Sequence, residues 1–356
     1  MHGMIIKTLP NPEETDRIIR SAVESGADES KLRTLASKGM LALFTAPEIK
    51  FAWQRTWPEC SHAPELVLAS RVGYRDKVLQ LLSLGNDPNA AQDDGTTALI
   101  AASEVTDEVI VGELIAAGAR PDTQASDGRT ALAAAAYSGS TTIAKLLLDA
   151  HADVNLASYD GVTPLLLAAR SGNSELVELL LRHGSTVNIR AHNGWTALMD
   201  AAQGGYPEIV EKLIEAGAAT DTVDIYGQTL LMVAALSPSV LKILFRYSPE
   251  VNPRDFQGET PLMRAVADDQ SLGPGSFEAV SLLLENGADA NAQDNEGRTA
   301  LMRACAYDDP DIVRLLLRHG ASTNTKDLHG RTARSIAASA GNRAVLDELN
   351  RNMASN

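Results

Sequence analysis

A Gly-x-Thr motif recurs along this chain at an almost constant interval. Eight copies form one series, in which five of the seven intervals are 33 residues and the other two are 31 and 39. The glycines of the series are Gly95, Gly128, Gly161, Gly194, Gly227, Gly258, Gly297 and Gly330. A fixed period of this length is typical of a solenoid, in which no repeat can bury its apolar face without its neighbours. The series therefore predicts one repeat domain over 61–356.

A single repeat, 161–193, has the pattern of two helices followed by an extended loop. Thr163 is a good N-cap and Pro164 stands at the first helical position, where a helix tolerates proline. Gly172 interrupts the first helix. Ser174 opens a second, which carries leucine and valine at spacings of three and four residues. Gly184 is expected to end that helix in a left-handed conformation.

These features together resemble the ankyrin repeat, a helix–turn–helix unit of this length with Thr-Pro-Leu, Ala-Ala and a late glycine. Thr-Pro-Leu stands at 163–165 and again at 260–262. The resemblance implies an all-α solenoid of stacked helix–turn–helix repeats with protruding β-hairpin loops. We count about nine repeats over 62–356, of which the first (62–94) and the last (330–356) are expected to cap the ends of the stack.

One departure from the family concerns the histidine that usually follows the leucine of the Thr-Pro-Leu opening. Apolar residues stand there instead, namely Ile100, Ala133, Leu166, Met199, Met232, Met263 and Met302. We therefore expect apolar packing to replace the capping network of that histidine.

The first sixty residues, 1–60, lie outside the series and are predicted to be a helical segment that caps the array. Trp53 and Trp57 stand four residues apart on its last helical stretch. The alternative is an amphipathic helix for a membrane or a partner, although this stretch has no basic stripe.

The formal net charge of −15 falls entirely on the repeats, because eight acidic and eight basic residues balance in 1–60. An acidic solenoid repels phosphate backbones, so we expect no nucleic-acid partner. We also expect no membrane insertion, because no apolar run of 18 residues occurs. Cys60 and Cys305 stand at opposite ends of the array and are expected to be free thiols. A cytoplasmic monomer is the expectation, with a nuclear or host-delivered protein as alternatives.

The sequence contains no motif that predicts catalysis. It has no phosphate-binding glycine loop, no paired metal-ligand spacing and no nucleophile elbow. We therefore expect a non-enzymatic adaptor or scaffold without cofactor or metal. In the family, hairpin tips and the concave face of the first helices usually bind protein partners.

Large side chains stand at consecutive hairpin tips in the middle of the array. Aromatic residues and arginine dominate interface hot spots, so these tips and the neighbouring first helices are the predicted partner-binding surface. Its residues are Tyr159, Arg170, His192, Trp195, Asp200, Gln203, Tyr226 and Phe256. The structural alternative is that the aromatic residues only pack against adjacent hairpins.

A second hypothesis concerns the 39-residue interval. Repeat seven carries six extra residues in a loop-like stretch at 268–276. This insertion and the concave face could together hold a small molecule or serve an enzymatic role.

Overall fold

The computed structural model of the protein describes residues 64–247, 249–266 and 276–355, with side chains as far as residue 351. Within these ranges the chain is helical, and its helices come in successive antiparallel pairs. The described chain divides into two compact units, one ending at Tyr159 and the other beginning at Asp160.

Several predictions from the sequence lie outside these ranges. The N-terminal segment 1–60, with Trp53, Trp57 and Cys60, is among them, as is all but the last residue of the insertion at 268–276. What we expect of these segments therefore stays a prediction.

The first unit contains three helix pairs in its described part. They are α1 (Glu65–Arg71), α2 (Arg75–Ser83), α3 (Ala98–Glu104), α4 (Glu108–Ala116), α5 (Ala131–Tyr137) and α6 (Thr141–Asp149). The first helices of the pairs, α1, α3 and α5, pack side by side, and the second helices do the same.

The second unit repeats this arrangement with six helix pairs. They are α7 (Pro164–Ser171), α8 (Ser174–Arg182), α9 (Ala197–Gln203), α10 (Pro207–Glu215), α11 (Leu230–Val233), α12 (Pro238–Leu244), α13 (Pro261–Val266), α14 (Phe277–Glu285), α15 (Ala300–Ala306), α16 (Pro310–Arg318), α17 (Ala333–Ala340) and α18 (Arg343–Ser355). A short 3₁₀ turn, Phe245–Tyr247, follows α12. The first helices form one layer and the second helices another, each packed on its neighbours in chain order. Each unit is thus an α solenoid, as the repeat pattern predicts.

The threonine of every Gly-x-Thr copy in the series caps the first helix of its repeat. The side-chain oxygen accepts a hydrogen bond from the backbone N–H three residues later in all eight repeats that carry the motif. This bond satisfies one of the donors that a helix leaves open at its start. The residues that replace the family histidine supply the capped N–H in seven of these repeats, and their side chains are buried. The expected apolar packing is confirmed.

In seven of the eight copies of the motif the glycine lies at a close approach between neighbouring hairpins, whereas a Cβ placed on Gly330 meets nothing within 4 Å. Gly194 has φ +83°, and a Cβ placed on it would lie 2.8 Å from the Cα of Asp224 in the next hairpin. A side chain there meets both a steric clash and an unfavourable backbone conformation. Where the late glycine of a repeat is replaced by His151, the residue still adopts a left-handed conformation with φ +64°.

Backbone hydrogen bonds join successive hairpin tips. In the first unit the N–H of Tyr159 donates to the carbonyl of Asp127 over 3.1 Å. In the second unit the N–H of His192 donates to Asp160 over 2.8 Å, and the N–H of Phe256 donates to Tyr226 over 3.0 Å. The hairpins themselves contain only isolated antiparallel bridges in the described residues. Main-chain hydrogen bonds therefore set the spacing of the tips, and this spacing does not depend on which side chains the tips carry.

Candidate functional site

A groove of about 520 Å³ lies on the hairpin side of the first helices in repeats five to seven. Its lining combines exposed aromatic and aliphatic side chains with small residues and a few polar groups. The lining residues are Trp195, Ala202, Gln203, Gly204, Gly205, Asp224, Tyr226, Gln228, Met232, Val233, Ala235, Leu236, Ser237, Pro238 and Arg264. Three of the residues predicted to bind a partner, Trp195, Gln203 and Tyr226, are thus brought together in one groove.

The indole of Trp195 is held in place by a buried carboxylate of the next hairpin. Its Nε1 lies 3.3 Å from Oδ2 of Asp224. The other carboxylate oxygen of Asp224 accepts the backbone N–H groups of Tyr226 and Gln228, each over 2.8 Å. Asp224 therefore fixes the aromatic side chain of one hairpin to the hairpin that follows it, and Trp195 is partly buried rather than fully exposed.

A second buried carboxylate positions an arginine on the same face. The Nε of Arg170, on α7, lies 2.9 Å from Oδ1 of Asp200, and its Nη2 lies 3.3 Å from Oδ2. The arginine side chain is 48% exposed, whereas the aspartate side chain is 1% exposed. Burial raises the pKa of the Asp200 carboxyl above its ordinary value, although the hydrogen bonds and the charge of Arg170 act in the opposite direction.

This geometry changes the part that Asp200 can play. The sequence predicts that Asp200 contacts a partner. Its carboxylate instead lies beneath the surface and is paired with Arg170. The exposed group at this position is the guanidinium. Asp200 is therefore a positioning residue for Arg170.

Arg264 closes the other side of the groove and belongs to a buried ionic network. Its Nη2 lies 3.1 Å from Oδ2 of Asp255, and its Nε lies 3.4 Å from Oε2 of Glu259. Glu259 also pairs with Arg303, which in turn lies 3.3 Å from Asp294. Arg303, which belongs to α15, is buried by this network.

Beside the groove, the ring of Tyr206 packs against two glycines. A Cβ placed on Gly204 would lie 2.2 Å from Cε2 of Tyr206, and one placed on Gly172 would lie 2.6 Å from Cζ of the same ring. The ring therefore lies directly against the backbone of two successive repeats. Gly204 itself lines the groove.

The remaining predicted residues lie at hairpin tips outside the lining. Phe256 is 74% exposed, and its ring lies against Gly227, the glycine of the preceding hairpin. His192 is exposed, and its N–H bonds to Asp160. Tyr159 is also exposed but belongs to the first unit. Apart from the Arg170–Asp200 pair, the predicted partner-binding residues thus fall into three sets. One set lines the groove, a second lies at hairpin tips of the second unit, and Tyr159 belongs to the first unit.

Comparison with known proteins identifies the family of this chain. A family model described as "Ankyrin repeats (3 copies)" matches residues 66–158, 155–224, 205–294 and 271–355. This chain belongs to the ankyrin repeat family.

A solved structure, the human ASB11 ankyrin repeat domain, agrees with this assignment. It is 25% identical to this chain with a TM-score of 0.55, and the match covers 62% of this chain and 98% of the other. A search of curated proteins finds no match. Ankyrin repeats are in general protein–protein interaction modules and are typically non-enzymatic.

Two findings in the described part of this ankyrin array concern metal binding and nucleophilic chemistry. Across 64–247, 249–266 and 276–355, no group of three or more His, Cys, Asp and Glu side chains could hold a metal ion. Cys305 is buried, and burial raises the pKa of its thiol to about 12. The thiol therefore stays protonated at neutral pH and is a poor nucleophile. No described helix has the length and apolar character needed to cross a membrane.

Sequence reasoning missed the acidic residues that organise the groove. Asp224, Asp255 and Glu259 each follow or precede a motif glycine by one to three residues and are buried. A sequence pattern that could have predicted them is an aspartate at the base of a hairpin, three residues before the motif glycine. It occurs at Asp224, Asp255, Asp294 and Asp327. That spacing lets one carboxylate oxygen accept backbone N–H groups across the turn.

Proposed function

We propose that this protein is a non-enzymatic interaction module, an adaptor or scaffold, that binds a protein partner on the concave, hairpin-side surface of repeats four to seven. The observation that carries the proposal is the groove, in which Trp195, Tyr226 and Leu236 present apolar surface beside Gln203 and Gln228. Apolar patches rimmed by polar groups mark interaction sites.

The aromatic residues of the groove are suited to be interface hot spots. Tyr226 is 59% exposed, and Trp195 is held by Asp224 in one orientation. A partner that covers both removes aromatic surface from water without first ordering the indole. Preorganised aromatic residues near the centre of an interface contribute most of the binding free energy.

The residues outside the groove have supporting parts in this proposal. Arg170 supplies a charged donor held by Asp200, and His192 and Phe256 extend the contact surface along the tips. Tyr159 stays a predicted contact of the first unit.

The test is affinity purification from the native cell with the wild-type chain and a Trp195→Ala/Tyr226→Ala variant. Removing two hot-spot side chains is expected to lower recovery of the specific partner at least tenfold, because each contributes about 2 kcal/mol or more. Leu328→Ala is the matched control, since Leu328 is a hairpin-tip residue two positions before Gly330 that is 76% exposed and lies outside the groove. Equal recovery by the wild type and the double variant would contradict the proposal.

The single variant Tyr226→Ala tests the groove without removing the hydrogen bond between Trp195 and Asp224. Trp195→Ala leaves Oδ2 of the buried Asp224 without its indole donor. The hydrogen bond from Tyr226 to Asp224 comes from the backbone N–H, so Tyr226→Ala keeps it. Circular dichroism and thermal unfolding of each variant identify any loss of structure.

A second candidate function is small-molecule binding in the same groove. A volume of about 520 Å³ falls within the roughly 300–1,000 Å³ of typical ligand pockets. The insertion at 268–276 is predicted to contribute to such a site. Thermal-shift screening with a metabolite library tests it, because a ligand that binds only the native state raises its stability.

A further inference from the structure

The charged side chains around the groove are arranged in two layers. Four acidic residues of this face, Asp200, Asp224, Asp255 and Glu259, are each 7% exposed or less. Asp200 pairs with Arg170, both Asp255 and Glu259 pair with Arg264, and Asp224 binds the indole of Trp195. The two arginines retain 48% and 21% of their side-chain exposure. A partner that approaches this face therefore meets guanidinium groups, with the carboxylates beneath them.

This arrangement differs from the charge of the chain as a whole. The net charge is −15, yet Arg264 and Asp224 are the only residues with a formal charge at neutral pH among the described residues that line the groove. Asp224 uses both of its oxygens to accept internal hydrogen bonds. Arg264 pairs with Asp255 and Glu259 but keeps 21% of its side chain exposed, so its guanidinium is the charged group that a partner inside the groove can reach.

The two arginines lie on either side of the aromatic surface. Arg170 belongs to α7 and Arg264 to α13, with α9 and α11 between them, and these middle helices supply Gln203 and Val233 to the lining. Neighbouring packed helices are about 8–10 Å apart, so three steps span about 24–30 Å. An extended chain covers about 3.3–3.6 Å per residue, so roughly seven to nine residues bridge this distance.

We propose that the partner segment bound in this groove is an extended peptide of about seven to nine residues, with an apolar or aromatic side chain between acidic residues. The central side chain packs against Trp195 and Tyr226, and the flanking carboxylates pair with Arg170 and Arg264. Guanidinium–carboxylate pairs add direction to an otherwise apolar contact. This inference rests on the proposed function, because it names the partner chemistry of the same surface.

The experiment uses a phage-displayed library of random linear peptides of about twelve residues, long enough to exceed the estimated span, panned on the full-length wild-type chain. Enriched peptides are expected to carry Asp or Glu on both sides of an aromatic or aliphatic residue. Changing these acids to their amides in synthetic peptides should weaken binding at least tenfold, and raised salt should weaken it as well. The peptide changes leave the fold of the protein untouched.

Protein variants give the complementary measurement. Arg170→Gln combined with Asp200→Asn removes the exposed charge together with its buried partner, and is expected to weaken the enriched peptides at least tenfold. Arg182→Gln is the matched control, because Arg182 lies on α8, is 66% exposed and, among the described residues, forms its ion pair with its own helix neighbour Glu178. Arg264→Gln is the less suitable variant, since Arg264 belongs to a buried network.

The outcomes separate this inference from the proposed function. Enriched peptides that need Trp195 and Tyr226 but have basic or uncharged flanks would overturn the acidic segment and leave the groove as the binding surface. Peptides that bind the Trp195→Ala/Tyr226→Ala variant as well as the wild type would overturn both. A library with no enrichment over the bare support would overturn the peptide inference, while the capture experiment still tests the protein-binding surface.

Discussion

The guanidinium of Arg170 is held by the buried carboxylate of Asp200, with 2.9 Å between Nε and Oδ1. The arginine lies half in solvent, whereas the aspartate is almost fully enclosed. Enclosing the carboxylate carries a desolvation cost that an exposed partner offsets only in part. The pair is therefore better explained by the orientation of Arg170 than by a gain in stability.

We expect Asp200→Asn to be at least as stable as the wild type at neutral pH. Burial raises the pKa of the folded-state carboxyl above its ordinary value of 3.8, so ionising it lowers the stability of the folded protein as pH rises through that raised pKa. Asparagine does not titrate. Urea unfolding measures the free energy of unfolding of both proteins at about pH 3.5 and about pH 7. The stability of the wild type relative to the variant should be higher at the acidic pH than at neutral pH. A wild type that is favoured more strongly at neutral pH contradicts the explanation.

Asp294→Asn is expected to behave in the opposite way. Burial acts to raise the pKa of the Asp294 carboxyl, but hydrogen bonds from the N–H and side chain of Arg298 and the charge of Arg298 outweigh it, so the net pKa is lowered. Its ionised form therefore stabilises the fold above pH 3.8, and this contribution is lost as pH falls through the folded-state pKa. The variant should lose about 1–2 kcal/mol at neutral pH.

The control for Asp294→Asn is the pH dependence itself. The difference in unfolding free energy between wild type and variant, measured by urea denaturation, should shrink as the solution is acidified. A difference that stays constant down to about pH 3 would show that the carboxylate charge is not responsible.

Gly204→Ala is expected to destabilise the second unit by about 1–3 kcal/mol, because the added methyl group overpacks against the ring of Tyr206. Gly204 lies in a right-handed conformation with φ −68°, so the effect is steric and not a matter of backbone strain. Thermal unfolding measures it.

Gly112→Ala is the matched control for this steric effect. Gly112 lies inside α4, and a Cβ placed on it meets nothing within 4 Å. Alanine there should stabilise the helix by about 0.5–1 kcal/mol. If both substitutions shift the unfolding temperature equally, the packing of Tyr206 is not the cause.

Thr196→Ala should cost about 1 kcal/mol, because it removes the side-chain bond to the N–H of Met199 that caps α9. Thr196→Ser keeps the hydroxyl and should retain most of the stability. Hydrogen exchange of the first amides of α9 locates the effect, and protection that is unchanged in the alanine variant would contradict the capping role.

The fold could be predicted from the sequence because its determinants are local. The hydroxyl of Thr163 caps a helix that begins one residue later, and the late glycine Gly184 adopts φ +86° immediately after its helix. These interactions span three or four residues and repeat in register, so the pattern alone contains them. The family assignment agrees with this prediction.

The electrostatics of the groove could not be predicted in the same way. The pair Trp195–Asp224 spans 29 residues, Arg170–Asp200 spans 30 and Arg303–Glu259 spans 44. Whether a charged residue at such a position is exposed or buried depends on its partner in the next repeat. The sequence therefore predicts the surface but cannot tell that Asp200 lies beneath it and Arg170 on it.

Binding of a protein partner in the groove at Trp195 and Tyr226 is tested most directly with the purified partner. Calorimetry gives its dissociation constant for the wild type, the Trp195→Ala/Tyr226→Ala variant and the Leu328→Ala control. We predict a loss of affinity of at least tenfold for the double variant and less than about twofold for the control. A folded double variant that binds the partner with wild-type affinity would show that the groove is not the binding site.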